Sequence, residues 1–264
     1  MIHQPAKVLT IAGSDSGGAA GLQADLKTFT SLGVYGMSVV TAVTAQNSVA
    51  VTAVHSLPPE MVAAQIDAVL SDYGAAAVKT GFIGRVELIE VIAEKLAQYR
   101  PEFVVVDPVL VNHRGEAMFS AEVTQAYLDK LLPLATLVTP NKWETALLTG
   151  ISINGRTDMQ TAVRQLANTG VEYVLLKGWR EGSQVVDLLF GNREESWLSS
   201  PFSDTNNLHG SGDTLSAAVC AFLARGEGLE TAVSQAHAFT ARAIRDAAGW
   251  QMGAGHGPVN NFQR

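Results

Sequence analysis

The stretch HGSGDTLSAA, residues 209–218, places two glycines and a carboxylate at the mouth of an apolar, alanine-rich helix. Gly210, Ser211 and Gly212 can aim successive N–H groups into one concavity, and the helix behind them adds the positive end of its dipole. Such a turn suits an oxyanion or a phosphate. Asp213 fits two duties there, an acidic cap of the helix or a base beside a bound anion, and its position alone leaves the two level. His209, next to the glycines, is the one histidine placed to take part.

Three other stretches carry chemistry. Lys177 closes the run LLKG and offers a point charge for a phosphate, although a strand-end lysine is most often only solvated. Asn141 and Glu144 in TPNKWE have capping-box spacing, which by itself favours a cap and its reciprocal partner. The same pair also suits the water shell of Mg²⁺, which keeps several waters and takes few direct carboxylates. In AGSDSGGAAGLQADL, four glycines lie between a strand and a helix; Ala19 and Ala20 stand where a Walker A loop needs Lys and Ser/Thr, and GxGxxG is not matched. A permissive β-to-α loop is the default for such a segment. Asp25, one turn into the helix, is either a dipole-compensating acid or a substrate ligand. His3, His113, His209, His237 and His256 make no HExxH or i, i+4 pair, there is no GxSxG elbow, and Cys220 lies in an apolar helix.

The elements that must position these residues are legible as an alternation of short β-branched runs with longer helical patterns, the mark of a parallel sheet covered on both faces. KVLTIAG, SVVTAVTAQ, VTAVHSL, AAAVKTG, EFVVVDP, ATLVTPN and VEYVLLKG read as strands, GLQADLKTFTSLG as a helix stopped by Gly33, and PEMVAAQIDAVLSDY as a helix opened by Pro59. SQVVDLLF and ESWLSSPF read as a hairpin joined at GNRE, followed by helices from about Asp213 to Leu223 and Leu229 to Ala248. Ligand crevices of open parallel sheets lie beyond the carboxyl ends of the strands, so Lys79, Asp107, Asn141 and Lys177 are expected along one rim.

Composition narrows the partners. A chain of 264 residues with 47% hydrophobic and 16% charged residues is compact rather than disordered, and its net charge of −7 disfavours a nucleic-acid surface. A small-molecule substrate is expected. A single cysteine excludes an intrachain disulfide, and neither a signal-peptide pattern nor a membrane-length apolar run is seen, so the expected location is the cytoplasm, away from membranes.

With these motifs in order, the chain resembles the hydroxymethylpyrimidine/phosphomethylpyrimidine kinases of thiamine biosynthesis, within the ribokinase-like superfamily. The resemblance runs through LTIAGSDSGGAAGLQADLKTF, GVYGMSVVTAVTAQNS, VKTGFIG, VVDPVL, LVTPNKWE, LLKG, HGSGDTLSAA and GHGPVN. It implies a single ribokinase-like domain over residues 1–264, a three-layer α/β/α fold with a mostly parallel central sheet, and a homodimer. It implies ATP as co-substrate and Mg²⁺. Gln46 is then expected on the pyrimidine, because an amide offers one donor and one acceptor side by side, with Gly13, Asp25, Phe82 and Val109 lining the same pocket. By the same resemblance Asn141 and Glu144 serve Mg²⁺ and its waters, Lys177 the nucleotide phosphates, and Gly210, Ser211 and Gly212 an anion hole. The chain departs from the family at Asp213: pyrimidine kinases typically read G-T/S-G-C there, whereas sugar kinases of the superfamily read G-x-G-D with the Asp as general base. A carboxylate of pKa about 4 is already ionised at neutral pH, unlike a thiol near 8.5. The alternatives are a pyridoxal or pyridoxine kinase, and a non-catalytic ligand-binding relative.

Overall fold

The computed structural model describes residues 4–262, so His3 lies outside the described residues. In chain order the elements are β1 (Lys7–Asp15), α1 (Gly21–Ser31), β2 (Tyr35–Gln46), β3 (Val51–Ser56), α2 (Pro59–Asp72), β4 (Ala77–Thr80), α3 (Val86–Tyr99), β5 (Phe103–Val106), α4 (Ala121–Ala126), β6 (Leu137–Val138), α5 (Lys142–Thr149), α6 (Arg156–Ala167), β7 (Tyr173–Glu181), β8 (Gln184–Gly191), β9 (Glu194–Pro201), α7 (Ser211–Ala224) and α8 (Leu229–Ala247). They build a nine-stranded sheet of order β3-β2-β1-β4-β5-β6-β7-β8-β9. From β2 across to β7 every pairing is parallel, and β3, β8 and β9 add antiparallel edges.

Helices cover both faces, as the doubly buried strands require. On one face Val62 and Ile66 of α2, Leu88 and Ile92 of α3 and Met159 and Val163 of α6 join a core with Leu9, Ile11 and Val106 of the sheet. On the other, Phe29 of α1, Leu215 and Val219 of α7 and Val233 and Phe239 of α8 pack on Val8 and Val105. The fold is the expected three-layer α/β/α. α7 is sheathed on every side, with Thr214 through Leu223 all buried, Cys220 among them. No helix among the described residues is long and apolar enough to cross a membrane.

The hairpin at GNRE forms as expected, Gly191 pairing with Glu194 across a turn whose Asn192 and Arg193 take φ of 51° and 64°. A second hairpin joins β7 to β8, where the sequence VEYVLLKG reads as a strand ending at Gly178. β7 instead runs on to Glu181 through a register break between Leu176 and Trp179, because Gly178, at φ 80°, lets the strand bend rather than stop. That bend is where Lys177 leaves the ladder. β1 likewise extends past its expected end at Gly13 to Asp15, with a register shift between Ala12 and Ser14.

Candidate active site

The carboxyl ends of β1, β4, β5 and β7 converge on the N-terminus of α7. Gly210 takes φ 79°, and a Cβ there would overlap the carbonyl oxygen of Ala19, so only glycine lets this turn touch the loop after β1. Gly210 occupies the cap position of α7, and no side chain caps that helix. The cap reading of Asp213 therefore fails. Ser211 N–H turns back to Leu208 O at 3.1 Å and Thr214 N–H to Gly210 O at 2.8 Å. The N–H groups of Gly212 and Asp213 between them have no partner among the described residues.

The Asp213 side chain instead reaches Lys79, Oδ1 lying 3.0 Å from Nζ with 14% of the side chain exposed. Lys79 is fully buried and also meets Asp25 at 2.6 Å, while Thr10 Oγ1 donates to the other Asp25 oxygen at 2.6 Å. One ammonium thus serves two carboxylates, and their protonation splits. Burial pushes Asp25 up to about 7 against the pull of Lys79. Burial also penalises Asp213, but the Lys79 charge and hydrogen bond, the Gly21 backbone N–H and the Lys177 charge outweigh it and hold that carboxyl below its ordinary value. Burial disfavours the charge on Lys79 too, yet Asp25, Asp213 and Asp107 keep it ammonium. The charged, partly open carboxylate is Asp213.

Beside this triad lies an ion pair. Lys177 Nζ donates to Asp107 Oδ1 at 2.7 Å and would sit 3.2 Å from a Cβ on Gly212, directly under the first turn of α7. Asp107 also accepts from Thr139 at 3.2 Å and Ser216 at 3.1 Å. Asn141 and Glu144 form the full capping box of α5: Asn141 Oδ1 takes the N–H groups of Trp143 and Glu144, and Glu144 Oε2 takes the N–H of Asn141 at 2.8 Å. Burial pushes Glu144 up to about 8; Lys177 pulls it back and Asp107 pushes it further. Cap and cluster member are one residue, not alternatives. Of the four expected rim residues, Lys79 lies in the triad, Asp107 and Lys177 form the ion pair beside it, and Asn141 caps the N-terminus of α5.

Gln46, at the end of β2, is partly exposed; its Oε1 lies 3.2 Å from Thr44 Oγ1 and its Nε2 3.1 Å from His209 Nε2. Gly13 is buried against Phe82, whose ring would stand 3.0 Å from a Cβ at that position, and Phe82 packs on Phe119 at 5.5 Å between centroids. Val109 is partly buried in the loop after β5. Asp25 differs from the expectation of a pocket-lining ligand: it has no exposed surface and acts on the cleft through Lys79.

Sequence reasoning missed Asp15. Its carboxylate accepts from Gly17, Ala19 and Ala20 N–H at 2.8, 2.8 and 2.9 Å and so folds the glycine loop around itself. The Asp-x-Gly pattern carried that signal, since an Asp two residues before a turn glycine readily takes its N–H. The pairing of Lys79 with Asp213 had no local signal, the two being 134 residues apart.

A family model described as phosphomethylpyrimidine kinase matches residues 15–260. A hydroxymethylpyrimidine/phosphomethylpyrimidine kinase of Rhizobium meliloti is 47% identical over 258 residues, covering 97% of this chain and 97% of that one. A thiamine biosynthesis bifunctional protein of Geobacter sulfurreducens is 46% identical over 97% of this chain and 52% of its own length. Among solved structures, an ADP complex of Bacillus subtilis pyridoxal kinase superposes with a TM-score of 0.91 at 35% identity, covering 98% of both chains.

Proposed function

The chain belongs to the phosphomethylpyrimidine kinase family, and from that premise we propose which of its residues carry the reaction and how. The protein is an ATP-dependent hydroxymethylpyrimidine/phosphomethylpyrimidine kinase of thiamine biosynthesis, phosphorylating 4-amino-5-hydroxymethyl-2-methylpyrimidine and its monophosphate.

In the first transfer the hydroxymethyl proton passes to the Asp213 oxygen turned away from Lys79 as the substrate oxygen bonds to the γ-phosphorus, the β–γ bridge breaks and ADP leaves. The single observation that carries this assignment is that Asp213 leaves its helix uncapped and is held ionised by Lys79. Next to it, the free N–H groups of Gly212 and Asp213, with Gly210 and Ser211 shaping the turn, face the charge that develops on the equatorial oxygens. Lys177, braced by Asp107, holds the triphosphate. The second transfer uses the same cradle, with a phosphate oxygen as nucleophile. Gln46 reads the aminopyrimidine edge, Gly13, Phe82 and Val109 bound the ring, and Asp25 positions Lys79.

Asn141 and Glu144 would hold Mg²⁺ through water. Their direct lone pairs are largely spent on the α5 cap, while Glu144, raised by burial beside Asp107, gains from a nearby cation. That fits a hydrated ion carried mainly by the nucleotide, and among the described residues no group of three or more His, Cys, Asp or Glu side chains is arranged to cage a metal. When bound, Mg²⁺ supplies charge neutralisation on the phosphates. The domain is read as one kinase unit over residues 1–264, located in the cytoplasm and assembled as a homodimer.

The test is a side-by-side kinetic comparison of the hydroxymethylpyrimidine with pyridoxal and pyridoxine, using ATP and Mg²⁺. A higher kcat/KM for the pyrimidine is expected. The likeness to a pyridoxal kinase structure makes that the second reading, and a preference for pyridoxal would put it first.

A further inference from the structure

Gln46 and His209 meet in a way that fixes more than position. The two ends of a glutamine amide are alike in size, so the neighbours decide which end carries the oxygen. Thr44 Oγ1 lies 3.2 Å from Gln46 Oε1 but 3.0 Å from the carbonyl oxygen of Ser14. One hydroxyl proton cannot serve both acceptors. At its other end the amide puts Nε2 3.1 Å from His209 Nε2, which obliges that ring nitrogen to be bare and the proton to sit on Nδ1. His209 Nδ1 is buried without a partner among the described residues, so this arrangement buries an unpaired N–H.

Reversing the amide removes the conflict at Thr44 and leaves a bare nitrogen at Nδ1 in place of an unpaired N–H. His209 then carries its proton on Nε2 and donates it to the glutamine oxygen; the glutamine NH₂ donates to Thr44, and Thr44 donates to Ser14. The hydroxyl proton, the imidazole proton and one amide proton each find an acceptor. Nδ1 is unpaired among the described residues in both arrangements, so Thr44 decides between them, a buried polar group left unpaired costing about 1–3 kcal/mol. Burial and the adjacent His256, whose ring centroid is 4.4 Å away, disfavour a doubly protonated imidazole, so His209 has one proton to place. Where it goes determines which end of Gln46 is donor and which is acceptor toward the cleft.

We infer that His209 is the specificity-determining residue of the ring site: by donating Nε2–H to Gln46 it fixes the donor–acceptor order of the amide, and so selects a ring bearing an amino group next to a ring nitrogen. The inference rests on the reading that Gln46 binds the ring. His209 acts through Gln46 and touches no reacting atom.

The test uses the intact enzyme with the aminopyrimidine alcohol and its analogue lacking the 4-amino group. His209→Phe raises KM for the amino compound about tenfold, the worth of one oriented hydrogen bond. It leaves kcat within about threefold, and the amino-over-des-amino ratio of kcat/KM falls by the same tenfold. His209→Gln, which can still donate an N–H, restores most of the ratio, and His209→Phe combined with Gln46→Ala is no worse than Gln46→Ala alone. If Gln46→Ala leaves KM unchanged, the ring-reading role of Gln46 falls and takes the inference with it. If Gln46→Ala raises KM but His209→Phe spares the ratio, or lowers only kcat and Tm, the inference alone is overturned. Independently of any variant, the ¹⁵N imidazole shifts of the unmodified protein report an Nε2–H tautomer at His209; an Nδ1–H tautomer overturns it.

Discussion

Replacing Asp213 by Asn tests the chemistry with little change of shape. The carboxamide oxygen keeps the 3.0 Å contact with Lys79, which forces the NH₂ group into the place of the other carboxylate oxygen. There it donates where an acceptor is needed. A positioned general base contributes about 10²- to 10⁴-fold, so kcat falls by that factor, about 3–5.5 kcal/mol of transition-state stabilisation, while KM for either substrate changes little. The fold gives up a little stability as well. Of the two carboxyls on one ammonium, Asp213 is held below its ordinary value and Asp25 is raised to about 7, so the substitution loses the stabilisation that the Asp213 charge draws from Lys79 and leaves Asp25 as the counter-ion. Tm therefore falls modestly while unfolding stays cooperative. The assay is steady-state ADP release at saturating nucleotide, alongside thermal unfolding. A variant with kcat within about threefold of the parent falls below the range of a general base and refutes the assignment. So does a loss of kcat accompanied by loss of the cooperative unfolding transition at the assay temperature, which would make Asp213 a structural residue.

Two further outcomes follow from the same geometry. Lys79→Met leaves two buried carboxylates without a counter-ion, which costs about 3–5 kcal/mol in a urea titration. It also moves the acid limb of kcat/KM upward: Asp213 is held below its ordinary value mainly by Lys79, so without that charge burial raises it, and activity is lost at a higher pH as the medium is acidified. A pH–rate profile that does not move contradicts this. Gly210→Ala imposes a left-handed φ of 79° on a residue with a Cβ and drives it into Ala19. The strain, about 1–3 kcal/mol, displaces the free N–H pair and lowers kcat by about 10²- to 10³-fold, with KM for the pyrimidine nearly unchanged in the same assay.

The order of strands and helices could be read because the parallel strands are apolar on both faces and end in turn residues. VVVDP and LVTPN carry the period of a doubly covered sheet. The β7–β8 hairpin was not legible, since Gly178 looks like a stop and only the paired strand reveals a bend. At the site, Gly210 to Asp213 drew attention by composition, but cap and base could be separated only once Lys79 was seen to arrive from β4. The capping box at Asn141 is legible in the Asn-x-x-Glu spacing, yet spacing within α5 says nothing of Asp107 and Lys177, whose charges give Glu144 its second setting. Gln46 and His209, 163 residues apart, meet only in the folded chain. What the sequence hid were charges and protons shared across the sheet.

The complete burial of α7 has a consequence for how the molecule breathes. Amides from Thr214 to Leu223 lie beneath packed side chains on every side, so their hydrogen exchange should require global opening, whereas β3, with five of its six residues exposed, exchanges by local fraying. The turn proposed to cradle phosphate thus stands on the slowest-exchanging part of the chain, and Gln46, proposed to read the ring, stands beside one of the fastest. New ring preferences can arise on the compliant wall while the reaction centre stays where it is.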